Sequence, residues 1–345
     1  SGSAELQVGF VGAGDAVAMD DFIFGEPVVG LLAVPDFANV AGLSSNQAAI
    51  GATVDAFFAD GATDPAARIT LAAIAGGAAT QQAAQLDQIS PEFYDATTAA
   101  SIAGASRFHD AIDRRFQGDN AICRADAPCV NQTGKGALWA RVGGGTTDRN
   151  GENGHIDYQA DVYDLQGGAD LRLGDMATVG LTIGHSGGDV ESNGKADIKQ
   201  FLAGLYGNLN FGMFQIDASV LYSNAETDSA RTISINRAPN IIINRTATAN
   251  YDLEQVSGHL IGSAGFDLGD ATVRPFAGLQ AVHVSGQDFA EAGAGDLNLN
   301  VRTNQETVLD AIFGVDVGAT FAVEGARLMP SAGLSLTQRL DGDNR

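Results

Sequence analysis

From about Thr133 onward the apolar residues of this chain recur at every second position, in segments joined alternately by tight turns and by long polar stretches. Ala177, Val179, Leu181 and Ile183 alternate with Thr178, Gly180, Thr182 and Gly184; Phe201, Ala203, Leu205, Leu209 and Phe211 alternate with Gln200, Gly204, Asn208 and Asn210. The same reading holds for Phe214 to Tyr222 and for Ala311 to Phe321, whose partners are Asp310, Gly314, Asp316, Gly318 and Thr320. A period of two places one apolar and one small or polar face on each strand. Tight turns are expected at Leu173-Gly174-Asp175-Met176, Phe211-Gly212-Met213, Leu268-Gly269-Asp270-Ala271 and Val323-Glu324-Gly325-Ala326. Long polar loops are expected at Thr146 to His155, Gly187 to Ala196, Asn224 to Asn250 and Ser285 to Gln305. Strands longer than about nine to eleven residues, with short turns at one end and long loops at the other, predict an all-β transmembrane antiparallel barrel. A soluble sandwich has shorter strands and less regular connections.

Composition narrows the partners. No apolar run approaches the roughly 20 residues of a membrane-crossing helix. The net charge of −23 argues against nucleic acid, which needs clustered Lys and Arg. Ser1 to Ala18 contains no Lys or Arg, so no signal peptide is visible there, and Ser1-Gly2-Ser3 is read as a processed or appended end. Cys123 and Cys129 are close enough for a small disulfide loop in an oxidising compartment. A zinc site would need more ligands than lie near them.

Upstream the period changes to helical. Helices are predicted over Asn46 to Phe58, Asp64 to Ile89 and Ser90 to Gln117. The last opens with Ser90 as N-cap, Pro91 at the first helical position and Glu92 in the first turn. Phe93, Ala96, Ala100, Ala103, Phe108, Ile112 and Phe116 form a stripe along it; Arg114 and Arg115 occupy its last turn, and Gly118 ends it. Pro91 to Gln117 makes a rod of roughly 40 Å, long enough to cross an outer membrane. Residues 1–44 read as short strands and turns, 45–133 as a helical linker with a pore helix over 91–117, and 134–345 as the barrel.

Chemistry-bearing motifs are sparse. Gly184-His185-Ser186-Gly187-Gly188 fits the hydrolase nucleophile pattern, but that elbow must join a strand to a helix, and here a polar loop and a strand follow. His109, His155, His185, His259 and His283 are dispersed, without metalloprotease spacing, and are expected in lumen or loops. Gly12-Ala13-Gly14 lacks the third glycine of a dinucleotide fingerprint. No catalytic residue, cofactor or metal is therefore assigned. Trp139 suits the aromatic girdle at a membrane interface, the commoner placement, or a lumen position against the helix.

Gly136-Ala137-Leu138-Trp139-Ala140-Arg141-Val142-Gly143-Gly144 resembles the first strand of the autotransporter β-domain, the translocator of type V secretion, with Trp139 and Arg141 as its aromatic and arginine. Gly168 to Asp175, Val179 to Ser186, Gly204 to Gly207 and Arg274 to Leu279 follow in that family's order, and Gln85 to Tyr94 resembles its helical linker. The resemblance implies a Gram-negative outer-membrane barrel of 12 strands, a helix threaded through the lumen, and an N-terminal passenger carried to the cell surface. About nine strands are legible, the last near Arg327 to Leu340, so the remaining strands are expected beyond Arg345. The implied partners are outer-membrane lipid, the barrel assembly machinery with periplasmic chaperones, and the chain's own passenger. The alternatives are a surface adhesin anchored by the barrel, and a hydrolase autotransporter whose catalytic passenger lies upstream.

Overall fold

The computed structural model describes residues 9–10, 36–59, 71–75, 77–117, 136–150, 156–174, 176–237, 241–269, 271–303, 305–319, 321–323, 326–328 and 330–340. Helices α1 (Ser45–Ala59), α2 (Ala79–Gln88) and α3 (Glu92–Gln117) precede nine long strands. These are β1 (Gly136–Arg149), β2 (Tyr158–Leu173), β3 (Ala177–Glu191), β4 (Gly194–Phe211), β5 (Phe214–Arg237), β6 (Ile241–Ala264), β7 (Ala271–Gly286), β8 (Glu306–Ala319) and β9 (Ser331–Arg339). Each pairs antiparallel with the next in sequence, giving one curled meander from β1 to β9. The predicted helix over Asp64 to Ile89 is interrupted: residues 71–75 are helical, the chain bends at Gly77, and α2 starts anew at Ala79.

Alternation sorts the side chains onto two faces. Leu138, Leu181, Ile183, Phe201, Leu205, Val220, Leu260 and Leu336 all stand exposed on the outer face. So much exposed aliphatic surface is stable only against lipid. On β4 the apolar band runs from Phe201 to Phe211, roughly the eleven residues a tilted transmembrane strand uses. Above it the register sets Asp161 opposite Asp189, Asp189 opposite Asp197, and Asp197 opposite Asp228. Carboxylates are costly in hydrocarbon, so this outward row lies beyond the lipid and fixes one rim of the band. The tight turns fix the other: Gly174, Gly212 and Gly269 take positive φ (71°, 79° and 75°), which glycine adopts without Cβ strain.

Two of the four expected loops are strand instead. Gly187 to Ala196 is a hairpin of β3 and β4 that reverses at Ser192–Asn193, and Asn224 to Asn250 is the far half of the 24-residue strands β5 and β6. About ten residues suffice to cross, so this hairpin projects beyond the membrane. Out there neither face needs lipid, and the alternation that marks a strand fades from the sequence while backbone pairing continues. The last strand is also shorter than expected. Ala326–Leu328 pairs with Phe321–Val323 in a separate hairpin, and β9 begins after Pro330, which has no N–H to give a ladder. No described helix is long and apolar enough to cross a membrane.

Candidate functional site: the lumen and its helix

The inner face of the wall is polar. Asp164, Gln166 and Asp170 on β2, Thr182 and Ser186 on β3, Gln200 on β4, Ser219 and Ser223 on β5, Gln255, Ser257 and His259 on β6, and Gln280 on β7 are all buried. They are buried because α3 lies against them.

Helix α3 begins at Glu92, one residue after the Pro91 expected at its first position. The Glu92 amide donates to Ser90 Oγ (3.2 Å), Glu92 and Asp95 stand in its first turn, and Arg114 and Arg115 in its last. Its 26 residues span about 39 Å, more than the roughly 30 Å hydrocarbon thickness. Toward the hairpin end, Phe93, Tyr94, Ala96 and Ala100 share a core with Ala160, Val190, Ile198, Tyr251, Leu253 and Val282. Toward the turn end, Ala105, Phe108 and Ile112 pack with Leu202, Tyr206 and Leu221. Each fully buried large side chain contributes about 1.5–3 kcal/mol. Of the predicted stripe, Phe93, Ala96, Ala100, Phe108 and Ile112 are buried, while Ala103 is half-buried. Pro91 sits in the turn just before the helix.

Polar contacts fix how the helix is rotated and how deep it sits. Thr97 Oγ1 meets the Tyr251 hydroxyl at 2.5 Å, Gln255 Nε2 donates to Ser101 Oγ (2.5 Å), and Gln280 Nε2 to Ser106 Oγ (2.6 Å). Arg107 Nε donates to Asp164 (3.0 Å) and Arg115 Nε to Asp170 (2.6 Å); Arg114 is exposed. Ion pairs this enclosed hold only in a fixed geometry. Glycine sits at two close approaches. A Cβ on Gly104 would lie 2.4 Å from Gln200 Oε1, and one on Gly184 would lie 2.3 Å from the Leu165 carbonyl and 2.7 Å from the Phe108 ring.

Trp139 faces the lumen, not the membrane girdle. Its Nε1 donates to the Tyr206 hydroxyl (2.6 Å), its ring lies over Gly168, and the Arg115 guanidinium sits 5.7 Å from the ring centroid. On β1 its position alternates with the outward Leu138, so its side chain turns inward, and Arg115 and Tyr206 hold it there. Arg141, two residues on, faces the same way, with a buried Nη1 that donates to no described group. Cys123, Cys129 and His155 lie outside the described residues.

The histidines are less dispersed than their spacing suggests. His109 and His259 approach to 5.1 Å between ring centroids, with Asp113 Oδ2 3.2 Å from His259 Nε2. His109 bonds Ser219 Oγ (2.6 Å) through Nδ1 and Ser257 Oγ (2.8 Å) through Nε2. Nothing in the sequence joins residues 150 positions apart. With both ring nitrogens of His109 on hydroxyls, no carboxylate orients it as a base for either serine, as nucleophilic catalysis requires. Among the described residues no cluster of three or more metal-ligating side chains occurs. Gly184 to Gly188 lies within β3, with His185 outward beside Tyr163, so the nucleophile elbow is absent.

A membrane-facing wall, a polar inner face and a helix keyed into it together define a translocator-type barrel with an occupied lumen. Residues 138–345 match the family model described as the autotransporter beta-domain, which covers more than half of the chain, and the chain belongs to that family. It is 27% identical over 197 residues to YaiT of Escherichia coli strain K12 (54% of this chain, 18% of that protein). It is 24% identical over 210 residues to an extracellular serine protease of Serratia marcescens (60% and 19%). Among solved structures it resembles the beta domain of the Bordetella autotransporter BrkA, with 22% identity, a TM-score of 0.47, and coverage of 60% of this chain and 80% of that one. The chain spans less than a fifth of the length of these two curated relatives. Its barrel is an outer-membrane translocator and anchor for a passenger.

Proposed function

We propose that this barrel exports an N-terminal passenger and displays it at the cell surface, and that the pore helix over 91–117 is the last segment of the exported chain, retained in the lumen. The direction of α3 carries this reading. Tyr94, in its first turn, lies against Tyr251 and Glu291 at the long-hairpin end, and Arg115, in its last, reaches Asp170 near the tight turn at Gly174. In outer-membrane barrels the short turns face the periplasm and the long connections face outward. Residues upstream of Glu92 are thereby assigned to the outside. The water-filled route supplies a path, the wall supplies the anchor, and folding of the passenger outside supplies direction.

Residues 1–44 are assigned to the end of the passenger, 45–133 to the linker and 134–345 to the barrel. Insertion is assigned to the barrel assembly machinery and periplasmic chaperones, because a wall this apolar needs protection on the way to the membrane. A hydrolase passenger is the second reading, supported by the Serratia relative's being an extracellular serine protease. The test is protease treatment of intact cells. Cleavage upstream of residue 91 with survival of a fragment containing 92–117 is expected; cleavage of the upstream residues only after the outer membrane is opened contradicts surface display.

A further inference from the structure

The outer mouth contains a buried charge that a simple export channel does not need. Arg231, on the projecting part of β5, is fully buried, and so is its partner Glu291, in the connection between β7 and β8. Arg231 Nε donates to Glu291 Oε1 (2.9 Å) and Nη2 to Oε2 (2.5 Å). Its remaining bonds go to two carbonyls: Leu297 in the same connection (3.0 Å) and Gln88, the last residue of α2. Glu291 is equally committed. Its Oε1 also accepts from the Tyr94 hydroxyl (2.6 Å), and its Oε2 from the Leu299 amide (2.7 Å).

The connection is folded. Phe289–Ala290 pairs with Leu299–Val301, Thr248 and Ala292 exchange backbone bonds, and the Phe289 ring stacks on Tyr251 at 4.2 Å between centroids. Together these seat residues 287–303 over the first turn of α3.

An ion pair withdrawn from water is stable only when its bonding capacity is filled. Here part of that capacity comes from the barrel and part from the exported chain, through Gln88 and Tyr94. Resting on the export reading, we propose that residues 287–303 form a lid latched by Arg231 and Glu291, which closes only when Gln88 and Tyr94 have reached the mouth. While other segments pass, those two partners are missing, the pair is open to water, and the lid is unlatched. Once the linker arrives, the latch completes and the lumen is sealed to small solutes. The pore helix is then a stem, and the lid its stopper.

The test uses the full-length protein in the outer membrane and in planar bilayers. Glu291→Ala leaves Arg231 buried without its carboxylate and is expected to raise conductance and cellular uptake of a large hydrophilic antibiotic several-fold, with surface display of upstream residues unchanged. Tyr94→Phe keeps the ion pair and removes one helix contact, and is expected to give a smaller rise. A Glu291→Ala barrel that folds, as its heat-shifted gel mobility reports, yet conducts no more than the parent overturns the lid. If Glu291→Ala does not assemble, Tyr94→Phe decides alone, and parental conductance overturns the proposal. Failure of the export reading appears separately, as absence of upstream residues from the surface in the parent.

Discussion

Gly184 and Gly104 show how narrow the tolerance between helix and wall is. The obstacle to a Cβ at Gly184 is backbone, the Leu165 carbonyl, together with the Phe108 ring; at Gly104 it is the tip of a flexible glutamine. Backbone cannot swing aside, whereas Gln200 can, at the expense of its bond to Ser223 (3.0 Å). Gly184→Ala is therefore expected to destabilise the folded barrel by about 1–3 kcal/mol, the usual cost of overpacking. Gly104→Ala should cost less. The temperature at which the compact gel band disappears ranks the two, and the opposite order would contradict the keyed fit. Neither glycine was legible as a contact in the sequence, where Gly184 belongs to a false nucleophile motif and Gly104 to an ordinary small-residue helix. The pair His109–His259 was missed, and the sequence leaves Trp139 open between girdle and lumen with the girdle favoured, for a related reason. Alternation tells which face a side chain takes only once the neighbours are known, and no local spacing reports a meeting across the lumen.

Among the elements, α3 and the membrane-crossing parts of the strands were the most legible, because each carries a periodic signal that its surroundings enforce. The helix has its cap, its dipole-matched charges and its buried stripe; the strands must be apolar wherever they meet lipid. The far halves of β5 and β6 were not legible. Over residues 227–231, Thr227, Ser229 and Arg231 turn inward and Asp228 turns outward, so both faces of that stretch are polar. What covers their tip is the small helical cap: Phe37, Val54, Phe58, Leu71, Leu86 and Ile89 pack with Ile233, Ile235, Ala247 and Leu297. Asp87 lies at its edge, accepting from Gln47 Nε2 (2.9 and 3.0 Å), while its backbone carbonyl accepts from Asn193 (2.6 Å). Burial raises the Asp87 carboxyl above its ordinary value of 3.8, more than the Gln47 bond lowers it. A raised folded-state value means that the contribution to stability is fully present below the unfolded value and is lost as pH rises through the folded one. The cap should therefore resist surface protease better as the medium is acidified from neutral toward pH ~4. Asp87→Asn should flatten that dependence; an unchanged slope would assign it elsewhere.

At the scale of the whole molecule, three layers stand along one axis: the helical cap and the folded connection 287–303 at one end, a helix-filled lumen within the apolar band, and tight glycine turns at the other. The outward row Asp161, Asp189, Asp197 and Asp228 separates the first layer from the second. The alternating apolar positions made the membrane layer readable in the sequence, while a helix in the lumen was only implied by the family resemblance. The depth and rotation of that helix rest on cross-lumen bonds that only the fold reveals, and they carry the central claim that the linker stays inside the barrel in one register. The most direct measurement joins Ser101 of the helix to Gln255 of the wall, whose side chains meet at 2.5 Å. With both replaced (Ser101→Cys with Gln255→Cys) and a short thiol-to-thiol linker applied to outer membranes, a cross-linked species is expected at high yield, and none with Ser101→Cys paired to an outward position such as Leu205→Cys. A barrel that retains its heat-shifted mobility, fails to cross-link at 101 and 255, and leaves the introduced helix thiol open to a membrane-impermeant reagent would contradict a helix seated in the lumen.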